Sequence, residues 1–145
     1  MDELFVRYLH FVGFILLAAM LMAENLLLAK SLDNRTVKKL AVIDSVYGLS
    51  AVVTLAAGLT LWLGVGKPAE FYNSNPVFHI KVTLFVVVAL LSVYPTIFLL
   101  KHRKTTASEL AVPATVILVK RLEVVILLVI PLLAVLMARG VGLGE

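Results

Sequence analysis

Residues 113–138 read PATVILVKRLEVVILLVIPLLAVLMA, an apolar run with Lys120, Arg121 and Glu123 set in its interior. A transmembrane helix needs about 20 residues at ~1.5 Å rise each, so the run is long enough to cross a bilayer. A charge near mid-bilayer costs on the order of 2.5–3.5 kcal/mol even on the lenient insertion scale, so such side chains persist only against a partner, a cavity or a ligand. The segment therefore predicts a membrane helix whose charged face turns inward.

Three further stretches of the same kind lie upstream, at 5–29, 40–65 and 77–100. Chain-stopping residues separate them: Ser31 to Asn34, then Gly64 to Pro68, then Lys101 to Lys104, with Gly140 closing the last. Connections this short join antiparallel neighbours, which predicts an all-α polytopic membrane protein, a four-transmembrane-helix up-down-up-down bundle forming one integral domain over 1–145. Composition agrees, because 61% hydrophobic and 15% charged residues, with mean hydropathy +1.05, are too apolar for a soluble chain of 145 residues. The net charge of +4 comes from bases beside the spans, where lipid and the insertion machinery read them, so nucleic acid is not an expected partner. With no cysteine, disulfides and thiolate metal sites are excluded.

Orientation follows from Lys and Arg. Lys30, Arg35, Lys38, Lys39 and then Lys101, Arg103, Lys104 fill the first and third connections, against Arg7, Lys67 and Arg139 on the other side. Positive residues stay cytoplasmic, which places both termini outside, in the periplasm of a bacterial inner membrane. The first span reads as retained rather than as a cleaved signal, since Asp2 and Glu3 precede Arg7 and Leu21 spoils a small-x-small site. Phe71 and Tyr72, between Gly66 and Pro76, read as an interfacial anchor.

The ionisable residues sort into two depths. On the cytoplasmic side Glu24, Asp44, Lys120, Arg121 and Glu123, with Tyr47 one turn from Asp44, predict a buried network of three acids and two bases. Such a network is either a charge-balanced latch that fixes helix register or a proton or ligand site. Along the first span Arg7, His10, Phe14, Leu17, Leu21 and Glu24 recur at spacings of three and four, so His10, at the outer end of that stripe, faces inward. A lone histidine there is a hydrogen-bonding residue or a haem ligand, and Lys81 is a snorkelling cation or an inward partner. His79 reads as interfacial, and His102 belongs to the opposite face. Ser50, Thr54 and Gly58 form a small-residue stripe suited to close helix approach.

Leu9-His10, Glu24, Asp44-Ser45-Val46-Tyr47-Gly48, Asn75-Pro76, Ser92-Val93-Tyr94-Pro95-Thr96 and the stretch from Ile130-Pro131-Leu132 to Gly140 together carry a resemblance. The chain resembles, over nearly its whole length, an uncharacterised bacterial family of four-span inner-membrane proteins. It is more distantly similar to the four-span protoporphyrinogen oxidase of the bacterial haem pathway, a haem-b enzyme. That similarity implies His10 as axial ligand of a haem iron, Lys81 as a propionate or substrate contact, and Arg121 with Glu123 in the polar interior. Leu122 stands where that enzyme has an Asn before its Glu.

Two classes of function are expected. One is a haem- or porphyrin-binding membrane redox protein using His10, Lys81 and Arg7. The other is a small proton- or ion-coupled transport protein, or an accessory subunit of a membrane complex, built on the inner charges. Transport would call for a homo-oligomer, since four helices leave little room for a path. Hydrolysis and nucleotide chemistry are not expected: the chain has no G-x-S-x-G elbow, phosphate-binding glycine loop or H-E-x-x-H motif.

Overall fold

The computed structural model describes residues 3–61 and 76–138. Four helices make up most of it: α1 (Glu3–Leu27), α2 (Asn34–Thr60), α3 (Pro76–His102) and α4 (Ala114–Ala138). Two short strands, β1 (Ser31–Leu32) and β2 (Leu110–Ala111), pair antiparallel between the α1–α2 and α3–α4 connections. Val112 N donates to Lys30 O at 2.9 Å and extends this clip. The expected stop near Gly64 to Pro68, the Phe71–Tyr72 anchor and the end at Arg139–Gly140 lie outside the described residues.

The start of α2 differs from the expected span for a local reason. The stretch from Ser31 to Asn34 does end α1, but it also starts α2. Asp33 sits in extended backbone and its carboxylate accepts from Thr36 N at 2.9 Å, capping α2 at Asn34 rather than at 40. Arg35, Lys38 and Lys39 are therefore helical. Thr36 also holds the Asp33 carboxyl below its ordinary value, chiefly through its hydroxyl and then through its amide. Pro95 and Pro131 both lie inside helices.

Packing runs in layers along the helices. At the clip end, Leu28, Val37, Leu40, Leu99 and Val116 form one apolar cluster. Leu17, Leu21, Tyr47, Leu127 and Ile130 form a second, with Leu84 and Phe85 packed against it. Reading both clusters in order, α1 and α2, α2 and α3, and α3 and α4 run antiparallel along their contacts. Outward positions are apolar as well: Leu26 is 80% exposed, Leu128 71% and Leu90 69%. A surface of that kind suits lipid rather than water. The helices at Glu3–Leu27, Asn34–Thr60 and His79–His102 are long and apolar enough to cross a membrane. The remaining helix, α4, carries Lys120, Arg121 and Glu123 within one turn.

Candidate functional site: an ionic layer between two apolar clusters

Between the two apolar clusters lies a layer of charge. Glu24 from α1, Asp44 from α2, and Lys120 with Glu123 from α4 are all buried, and Glu24, Lys120 and Glu123 are 0% exposed. The chain places them there by simple spacing. Glu24 falls between Leu21 and Leu28 on the inward stripe, Asp44 between Ala41 and Tyr47, and Lys120 and Glu123 between Val116 and Leu127, each three or four residues from the next.

Lys120 Nζ is the centre of the layer. It lies 3.1 Å from Glu24 Oε2, 3.2 Å from Asp44 Oδ1 and 3.5 Å from Glu123 Oε1. An ammonium has three N–H donors, as many as the carboxylates within reach of it. The Tyr47 ring also lies against the ammonium, 4.3 Å from Nζ to its centroid, adding a cation–π contact. Hydroxyls close the rim: Tyr47 donates to Glu123 Oε1 at 2.8 Å and Thr96 to Asp44 Oδ2 at 2.6 Å.

Glu24 Oε1 and Glu123 Oε2 are buried with no hydrogen-bond partner among the described residues. Three carboxylates also face one ammonium, so full ionisation would leave two uncompensated negative charges in a site sealed by apolar packing. Burying unpaired charge is among the largest penalties a fold can carry, so the layer calls for added positive charge. Those two oxygens are where it can be added without breaking an existing bond.

The expected network of three acids and two bases is thus, around Lys120, three acids and one base. Arg121 takes a separate partner: its Nη1 donates to Asn25 O at 2.7 Å and to Asn25 Oδ1 at 3.2 Å. Neighbouring residues on a helix point about 100° apart, so Arg121 leaves the face that Lys120 occupies. Asn25 and Thr96 are site residues with no role expected from the sequence, Thr96 standing out only as the end of the Ser92-Val93-Tyr94-Pro95-Thr96 motif. A hydroxyl or amide in an apolar helix ordinarily bonds its own backbone, as Thr60 and Thr83 do here and as the Asn25 amide does to Leu21 O at 2.8 Å, so type alone does not mark those that also take a partner on another helix.

The outer set stands apart from this layer. His10 Nδ1 is 2.9 Å from Thr54 O, and a Cβ added at Gly58 would lie 3.2 Å from the His10 ring, so the histidine packs on the small-residue stripe of α2. Arg7 pairs with Glu3 at 2.6 Å on the half-exposed end of α1. Lys81 is partly buried and His79 exposed on α3. His102 bonds Phe98 O at the clip end.

Helices this apolar outside, closed around a charged layer inside, define a helical membrane protein with a polar interior site. The family described as "Predicted membrane protein (DUF2214)" matches residues 2–142, and the chain belongs to it. No curated protein and no solved structure matches the chain.

Proposed function

We propose that the ionic layer is a proton-binding site in a small four-span protein of the bacterial inner membrane, and that its protonation is coupled to the movement of protons or a small ion. The observation that carries this reading is the imbalance at Lys120: three buried carboxylates, one ammonium and two orphaned carboxylate oxygens. A latch built only for register would be served by matched charges, whereas an excess of acid leaves places for protons.

The arrangement suggests how a proton would be felt. Glu24, Asp44 and Glu123 compete for one ammonium from three different helices. Protonating one of them weakens its hold on Lys120 and shifts the cation toward the others, which changes how α1, α2 and α4 are drawn together. Four helices alternating across the bilayer, with both termini outside, have no room for a wide path, so a homo-oligomer or a larger membrane complex would complete the route. Infrared difference spectra across a pH titration of the detergent-solubilised protein test the site. A protonated-carboxyl band that is reduced in Glu24→Gln and in Glu123→Gln is the expected result, and no such band in the parent protein at any pH would overturn it.

A second reading has one observation in its favour. Thr54 O can only accept, so His10 Nδ1 carries the hydrogen and Nε2 keeps the lone pair that a haem iron takes. His10 would be the axial ligand, with Lys81 and Arg7 as cations for the propionates. Bound haem b would supply one-electron redox chemistry. An oxidised and reduced absorbance spectrum decides between them: a Soret band lost in His10→Ala supports the haem reading, and colourless protein after haem supplementation removes it.

A further inference from the structure

A groove of about 390 Å³ lies between the start of α2 and the end of α3 at the clip end. Its walls are Ala41, Val42 and Ser45 from α2 and Leu100 from α3, and its mouth carries Lys38, Arg103 and Lys104. No acid lines it. Among the described residues the ion pairs involve only Arg7 and Lys120 as cations, so the three bases at the mouth are uncompensated. Ser45 Oγ is turned to its own helix, bonding Ala41 O, and leaves the wall apolar.

The geometry points to a binding site for an anionic phospholipid, with the headgroup phosphate held by Lys38, Arg103 and Lys104 and an acyl chain laid along the seam of α2 and α3. Charge complementarity calls for an anion, and the apolar walls call for a lipid rather than free phosphate. Below the cations, exposed apolar residues continue on both helices in the same direction. Val42, Val46 and Leu49 follow one another at helical spacing on α2, and Leu100, Ile97 and Val93 do so on antiparallel α3. Basic pockets between membrane helices on the cytoplasmic side are suited to such headgroups. Bases at the end of α3 also complement its dipole, but Lys38 belongs to α2, and its place at the same mouth is not accounted for by that effect.

Native mass spectrometry of the full chain, released from nanodiscs of phosphatidylcholine with or without phosphatidylglycerol, tests the site. Phosphatidylglycerol should be retained in preference to phosphatidylcholine. Replacing Lys38, Arg103 and Lys104 together by Gln should weaken retention roughly fivefold per cation, about a hundredfold in all. A control variant with Lys30, Arg35 and Lys39 changed to Gln removes the same charge at the same end outside the groove, and should keep most of the lipid. Equal retention of both lipids, or equal loss in both triple variants, would overturn the site. Inorganic phosphate that binds the lipid-free protein as tightly as phosphatidylglycerol would overturn the lipid as occupant. If the first triple variant does not fold, Lys38→Gln alone, at an exposed position, carries the test with its fivefold loss.

Discussion

Lys120 is the residue on which the interior turns, because it is the shared counter-charge of three carboxylates. Lys120→Met keeps the length of the side chain and removes that charge, leaving Glu24, Asp44 and Glu123 buried together. Removing one partner of a buried ion pair costs ~3–5 kcal/mol, and unfolding titrations in detergent should show a loss of at least that order. Adding Glu24→Gln to the same chain should recover part of it, since one excess acid is then gone. The principal members of this layer were legible from residue type, because an acid or base inside an apolar run has few physical homes. Spacing also put Lys120 on one face with Glu123, within reach of Glu24 and Asp44; what it left unread was that Arg121, one residue on, leaves that face for Asn25.

At the scale of the helices, small residues set how closely α1 and α2 approach. A Cβ on Gly13 would stand 2.7 Å from Thr54 Oγ1 and 3.2 Å from Thr54 N. The hydroxyl is tied to Ser50 O at 2.7 Å and the amide belongs to the helix, so neither yields easily. Gly13→Ala should therefore destabilise by ~1–3 kcal/mol through overpacking. Gly48 has nothing within 4 Å of the same added atom. Gly48→Ala should instead stabilise by ~0.5–1 kcal/mol by removing backbone freedom, and unfolding of the two variants side by side checks the contrast.

The start of α2 brings a pH dependence of its own. Thr36 lowers the Asp33 carboxyl from its ordinary 3.8, so the cap contributes stability above that value and loses it as pH falls through the lower, folded value. Protection of the first-turn amides of α2, measured against their intrinsic exchange rates, should fall over that acid window, and Asp33→Ala should show the low protection at neutral pH too. Helix existence and type followed from hydropathy. The start of α2 did not, because Asp33 caps a turn that is basic rather than apolar.

For the whole molecule, antiparallel neighbours followed from short connections, whereas the clip of β1 and β2 left no trace in the sequence. Two-residue strands are too short to show a period of two. The clip holds the α1–α2 and α3–α4 connections together, so both must lie on one side of any membrane that the helices span. In a chain without cysteine, single replacements Lys39→Cys and Thr106→Cys report that side. With both termini outside as proposed, both positions should resist an impermeant maleimide in intact cells and react after permeabilisation. Labelling of both in intact cells would invert the orientation.

The ionic layer is divided unevenly between the two halves of the chain. The first pair of helices contributes Glu24 and Asp44, and the base that answers them arrives only with α4. During synthesis the bilayer therefore receives two acids well before their lysine leaves the ribosome. A chain that stops short of Lys120 keeps Glu24 and Asp44 without the ammonium that answers them in the folded protein, and should be less stable than the full chain.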